Sequence, residues 1–118
     1  MITLAAANSP QSRYLAVAVQ VGQRLPATKT SLGRVLLAHR AGSDDQDGHQ
    51  IRADGYVVTD GLLETGLRSL AVPIRDHTGE VVASLSVAVN AVRVPISQLE
   101  QEFLPLVNEG AAAIGALI

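Results

Sequence analysis

The stretch from Leu67 to Asn90 constrains this 118-residue chain more than any other part of it. Leu67-Arg-Ser-Leu-Ala-Val-Pro-Ile-Arg-Asp76 and Glu80-Val-Val-Ala-Ser-Leu-Ser-Val-Ala-Val-Asn90 are strand-length runs rich in branched residues, and Asp76-His-Thr-Gly79 lies between them. Turn formers between two such runs predict a hairpin, and strands joined by so short a turn are antiparallel. With Arg75 opposite Glu80, Ser69 falls opposite Ser86, Ala71 opposite Ser84 and Leu67 opposite Ala88. Cross-strand partners share a face of the sheet. One face is therefore small and hydroxylated. The other carries Leu70, Val72 and Ile74 with Val81, Ala83, Leu85 and Val87, and is the expected seat for helices. An ordinary wet face would favour Lys, Glu, Thr and Gln. Ser and Ala instead leave room and short hydrogen-bonding groups, which suits either the floor of a ligand cavity or a surface packed by another element.

The other elements follow from local signals. Tyr14-Leu-Ala-Val-Ala-Val-Gln-Val21 is a strand ended by Gly22, and Leu25-Pro26 is extended or turned. Thr30 to His39 reads as a helix that Thr28, Thr30 or Ser31 can cap, with Leu32, Val35 and Leu36 at helical spacing. Ala41 to Gly48 is polar and acidic and reads as a loop, within a polar connector over 41–51. Gly55 to Thr59 is a short strand. From Ser97 a helix runs to the C-terminus, opened by a capping box at Ser97-Gln-Leu-Glu100. Its expected buried stripe is Leu99, Phe103, Leu106, Val107, Ile114 and Leu117, with a bend at Pro105. The expected fold is α+β, an antiparallel sheet with helices packed on one face.

Composition narrows the function. At 12.3 kDa the chain suits one domain, 1–118, and its 47% hydrophobic and 17% charged content argues against global disorder. Nine basic and 11 acidic residues give a net charge of −2, which is no footprint for nucleic acid. Aromatics, at 3%, supply no stacking platform. With no cysteine, disulfides, thiolate metal sites and cysteine nucleophiles are excluded. No apolar run approaches the length of a membrane helix, so a cytoplasmic location with no membrane partner is expected.

Catalytic signals are weak. His39, His49 and His77 are too scattered for a metal motif, and nothing pairs them with an acid or a nucleophile. Ser31 lacks the flanking glycine of a nucleophile elbow, and no phosphate loop is present. Asp60 and Glu64 read as solvated turn acids. No enzyme activity, metal site or cofactor is expected.

Four segments, taken in order, resemble one family. They are Leu25-Pro-Ala-Thr-Lys-Thr-Ser-Leu-Gly-Arg-Val-Leu-Leu-Ala38, Arg52-Ala-Asp-Gly-Tyr-Val-Val-Thr-Asp60, Gly66-Leu-Arg-Ser-Leu-Ala-Val-Pro-Ile-Arg-Asp76 and Gly79-Glu-Val-Val-Ala-Ser-Leu-Ser-Val87. Together they resemble the effector-binding domain of IclR-type transcription regulators, over about Tyr14 to Ile118. The resemblance implies a GAF-like fold with a small-molecule pocket. It also implies cytoplasmic bacterial regulators that sense organic or aromatic acids, self-associate as dimers or tetramers, and grip DNA through an N-terminal winged helix-turn-helix. Positions matching the family's effector pocket are Leu25, Ser31, Leu32, Thr59, Leu67, Ser69, Ser86 and Ala88. Leu67, Ser69, Ser86 and Ala88 fall on the small face of the hairpin.

The chain departs from the family pattern in three places. No helix-turn-helix precedes Tyr14, so the chain by itself is not expected to bind operator DNA. The connector from Ala38 to Arg52 is shorter than the family's, which holds further helices. An acid that some members place at Thr59 is absent, though Asp60 follows. The expected function is an effector-binding and oligomerising domain of an IclR-like regulator. The alternatives are a ligand-free dimerisation module left after loss of the DNA-binding half and, in third place, a small enzyme on a GAF-like scaffold.

Overall fold

A computed structural model of the protein describes residues 26–40, 42, 45–62 and 64–118. The strand expected over Tyr14 to Val21, and Leu25, lie outside the described residues. After a 3-10 turn at Ala27–Lys29 come helices α1 (Ser31–Ala38) and α2 (Gln46–Asp54), then strands β1 (Val57–Asp60), β2 (Leu67–Arg75) and β3 (Val81–Asn90). The chain ends in one continuous helical rod made of α3 (Ile96–Gln98), a π-helical turn (Leu99–Phe103) and α4 (Leu104–Gly115).

The described strands form an antiparallel sheet in the order β1-β2-β3, as expected of an α+β domain. The hairpin register differs from the expected one by two positions. Ser69 faces Ala88 rather than Ser86, Ser86 faces Ala71, Ser84 faces Pro73, and Leu67 faces Asn90. The turn is one residue longer than expected, because Arg75 pairs with Val81, and a bulge then leaves Val82 unpaired. A slip of one would exchange the two faces, but two slips of one restore them. The sorting into a branched and a small face therefore stands, except that Val81, beyond the bulge, leaves the branched face.

Helices cover both faces, which corrects the expectation of one. On the branched side Leu70, Val72 and Ile74 pack with Leu99 and Ala111 of the terminal rod, flanked by Val58, Leu85, Val87, Phe103, Leu104 and Val107. On the small side Val35 and Ala38 of α1 and Ile51 of α2 close over Ala71, beside Leu32 and Val57. Small sheet residues let α1 approach closely. Ser84 Oγ donates to the Leu32 carbonyl at 3.0 Å. At Gly33 a Cβ would sit 2.3 Å from the Ala27 carbonyl oxygen, so only glycine fits between α1 and the preceding turn.

Several local expectations are corrected. The loop expected over Ala41–Gly48 gives way at Gln46 to α2. Asp45 caps α2, accepting from Gly48 N at 3.1 Å, and Gly55 ends it at φ 80°. β1 therefore starts at Val57 rather than Gly55. The capping box at Ser97 does not form, since Pro95 precedes the helix with no side-chain cap. Leu106 and Leu117 are 63% and 88% exposed and Ile114 is exposed as well, whereas Ala111 and Gly115 face inward. A Cβ on Gly115 would meet the Arg75 carbonyl oxygen at 2.4 Å. The bend expected at Pro105 takes the form of the π-helical turn just before it. There Leu104 N reaches back to the Leu99 carbonyl, five residues away.

Candidate functional site

Thr30 caps α1. Its backbone is extended, and its hydroxyl accepts from Gly33 N at 3.0 Å. This uses one amide of the first turn and leaves those of Ser31 and Leu32 beside the positive end of the helix. Directly beneath, Thr59 of β1 and Ser69 of β2 are cross-strand partners on the small face. Ser69 Oγ lies 2.7 Å from Ser31 Oγ and 2.8 Å from Thr59 Oγ1. Ser31, Thr59 and Ser69 are 2%, 7% and 9% exposed. The two bonds use two of the three O–H donors, so one donor and several lone pairs remain. A carboxylate only accepts, and it matches one hydroxyl donor together with helix N-terminal amides.

The structure therefore brings Ser31, Thr59 and Ser69 together. Leu67 lies nearly buried two residues before Ser69 on the same face, and Leu32 is half-buried in the α1 cluster. Ser86 is half-buried one pair further along the sheet, and Ala88, opposite Ser69, is exposed. Two open grooves lie elsewhere, and none of these seven residues lines either. One of about 670 Å³ runs between α1 and α2, past Thr28, Arg34, Arg40, Asp45 and Asp47. Another of about 390 Å³ lies beside Ala27, Leu36, His39, Glu80 and Val81.

Two polar features were not foreseen from the sequence. One is Ser84, which docks α1 and could have been found from its place on the small face. The other, on the reverse of the site, is a clamp made by Arg68. Its Nη2 pairs with Asp60 Oδ2 at 2.9 Å and its Nη1 donates to the Val94 carbonyl at 2.8 Å. Asp60 is thus an ion-pair partner rather than a free turn acid. Nearby, the Tyr56 hydroxyl donates to Glu100, and this bond, then burial, pushes the phenol up to about 12. At the hairpin turn the Thr78 hydroxyl and the amides of Thr78 and Glu80 hold the Asp76 carboxyl below its ordinary range. Among the described residues no group of three or more His, Asp or Glu side chains could hold a metal ion, and no helix is long and apolar enough to cross a membrane.

Comparison with known proteins places this arrangement. Residues 45–116 match the family described as bacterial transcriptional regulator IclR, C-terminal. The chain is 39% identical to the Pca regulon regulatory protein of Pseudomonas putida, over 86% of this chain and 43% of that protein. It is 28% identical to the Pca operon regulatory protein of Acinetobacter baylyi, over 93% of this chain and 48% of that protein. The chain thus spans about half the length of the curated relatives it matches. Both alignments are longer than the chain segments they cover. The first has 125 positions against about 101 residues of this chain (86% of 118), and the second 134 against about 110 (93%), so about 24 positions in each have no counterpart here.

Among solved structures, a transcriptional regulator from Rhodococcus sp. RHA1 superposes with a TM-score of 0.77 at 32% identity, covering 88% of this chain and 51% of that one. The inducer-binding domain of the PobR transcription factor from Acinetobacter, a double mutant in complex with 3-hydroxybenzoic acid, gives 0.78 at 24% identity, over 95% and 79%. The fold is the GAF-like one of these C-terminal domains. The relatives are regulators of transcription and not enzymes. By the family match over residues 45–116, this chain belongs to the IclR family of bacterial transcription regulators and carries its C-terminal domain.

Proposed function

We propose that this domain binds a small organic or aromatic acid beneath the N-terminus of α1, and that the bound acid biases how copies of the chain assemble. The observation that carries the reading is the buried cluster of Ser31, Thr59 and Ser69, with a spare donor beside the helix amides. Leu32, Leu67, Ser86 and Ala88 complete the proposed lining, with Lys29 at its rim, and Leu25 is assigned to it from the resemblance alone. The 3-hydroxybenzoic acid bound to the PobR domain supports the ligand class. Control of transcription is linkage. An effector that prefers one arrangement of subunits shifts the population competent to hold DNA, which is gripped by a helix-turn-helix outside these 118 residues. The exposed Leu106, Ile114 and Leu117 supply an apolar surface for a homodimer or tetramer.

Calorimetry with 3-hydroxybenzoate and related acids tests this. Ser69→Ala and Ser86→Ala should each weaken binding by about 0.5–1.5 kcal/mol, the net value of one hydrogen bond. Ser69→Leu should do more, because it fills the site. Normal binding by all three variants would remove the site from this face.

Two observations favour the second reading, a ligand-free dimerisation module. The three hydroxyls already bond one another, and about 24 positions of the relatives are missing here. The family match starts only at Asp45, and α1 and α2 are joined by seven residues, so we place the contraction at this junction. Arg34 pairs with Asp47 at 2.9 Å and Arg52 reaches the Ala38 carbonyl, which ties the two helices directly together. Dimerisation by sedimentation, with no thermal shift from any acid, would select this second reading.

A further inference from the structure

The hydroxyl cluster and the Arg68 clamp are successive rungs of one ladder. Thr59 pairs with Ser69, and Asp60 with Arg68. Because side chains alternate along a strand, the first pair points toward α1 and the second toward the terminal rod. The two pairs thus sit back to back through the same two strands.

Arg68 binds at both ends. Its Nη2 holds Asp60 at the end of β1. Its Nη1 donates to the carbonyls of Val94, at 2.8 Å, and Ala91, at 3.3 Å, in the connection between β3 and α3. The side chain is only 15% exposed, and its Nε has no partner among the described residues, so the two Nη groups alone fix the guanidinium. The connection it grips is short and decisive. Ala91 N is bonded to the Gly66 carbonyl just before β2, Val94 is partly buried against the core of the branched face, and Pro95 precedes the rod without a side-chain cap. Arg68 is thus bonded to the connection that leads into the rod, and exposed apolar residues, Leu106, Ile114 and Leu117, lie further along that rod.

We propose that Arg68 is a positioning residue that couples the hydroxyl cluster on one face of the sheet to the start of the terminal helix on the other. The proposal rests on the effector reading above for its biological use, but not for its geometry. A group that separates Ser31 from Ser69 changes the Thr59–Ser69 rung. The adjacent Asp60–Arg68 rung follows through the shared backbone, and the guanidinium passes the shift to Ala91 and Val94. Arginine suits this role, because a planar fork holds several acceptors in fixed geometry where lysine offers a point charge.

Amide exchange read residue by residue on the 118-residue chain tests the coupling without any ligand. In the wild-type background, Ser69→Ala should change exchange at the amides of Ala91, Val94 and Ile96 to Gln98 by about fivefold, the factor equivalent to one hydrogen bond's net contribution of about 1 kcal/mol. In the Arg68→Ala background, the same substitution should change it by less than twofold. Arg68→Lys serves if Arg68→Ala does not fold. Lysine keeps a charge for Asp60 and loses the fork, so stability should partly recover while the coupling stays lost. A merely structural arginine would leave the two effects additive.

Equal changes in both backgrounds, or no change in the wild type, overturn the proposal. A second arm adds 3-hydroxybenzoate. Binding with a response at residues 91–98 that disappears in Arg68→Lys extends the coupling to the effector. Binding with an undiminished response in Arg68→Lys overturns it. Absence of binding counts against the effector reading alone, since the ligand-free arm still decides the coupling.

Discussion

Removing the Ser69 hydroxyl should cost more stability than removing either of its neighbours. The cluster is a chain of three with Ser69 in the middle, bonded to Ser31 at 2.7 Å and to Thr59 at 2.8 Å. Ser69→Ala deletes both bonds and strands two buried hydroxyls. At about 1–3 kcal/mol for each of the two buried polar groups left unpaired, the loss should be about 2–6 kcal/mol. Ser31→Ala and Thr59→Val each delete one bond and leave the other pair intact, so each should cost about 0.5–1.5 kcal/mol. The triple variant leaves no hydroxyl unpaired, and its cost should fall well below the sum of the three. Urea unfolding measures this directly. With a slope of about 2 kcal/mol per molar, Ser69→Ala should lower the midpoint by about 1–3 M while the slope stays constant. If Ser69→Ala proves no more costly than Ser31→Ala, or if the triple variant is additive, the three hydroxyls are not a mutually satisfied cluster.

Gly33→Ala should destabilise by about 1–3 kcal/mol or more, since its Cβ would meet the Ala27 carbonyl oxygen at 2.3 Å and its Cα at 2.4 Å; a wild-type melting temperature would contradict that packing. Tyr56 is held neutral by Glu100, with its pKa raised from 10.0 to about 12, so the stability it adds is complete below pH 10 and is lost as pH rises from 10 to about 12. Ultraviolet titration should show one of the two tyrosines ionising late, and Glu100→Gln should bring that step back toward 10; two ordinary steps in the parent chain would refute the bond. The isolated chain, at net charge −2, should give no specific duplex binding at physiological salt, and a sequence-selective gel shift would overturn this.

The hairpin faces were legible in the sequence because only parity matters to them. The actual register was not, because nothing in Val81-Val-Ala83 marks Val82 as a bulge. α2 left a readable trace that composition concealed. Asp45 as a cap, Asp47 in the first turn and Gly55 as a left-handed stop are helix signals one short helix apart, but the three acids and two glycines of Ala41–Gly48 read as a loop. Of the candidate site, Ser31, Thr59 and Ser69 could be placed together from the resemblance. The choice between a cavity floor and a packed surface could not, because it depends on how closely α1 approaches the sheet. That approach is set by Gly33, by Ser84 on the Leu32 carbonyl, and by Ala71 beneath Val35 and Ala38.

The terminal rod shows why periodicity alone misjudged a face. An α-helix advances 100° per residue, so one extra residue in a turn rotates everything after it by that amount. The π-helical turn at Leu99–Phe103 inserts such a residue, just where Pro105 has no amide to offer the regular ladder. Counted from Leu99 without the insertion, the inward positions are Phe103, Leu106 and Ile114. Counted with it, they become Leu104, Val107, Ala111 and Gly115. The inward face thus acquires small residues, and the rod can lie with Gly115 against the Arg75 carbonyl. The same rotation turns Leu106, Ile114 and Leu117 outward. One irregular turn therefore sets both how closely the rod packs on the branched face and which apolar side chains it presents for assembly.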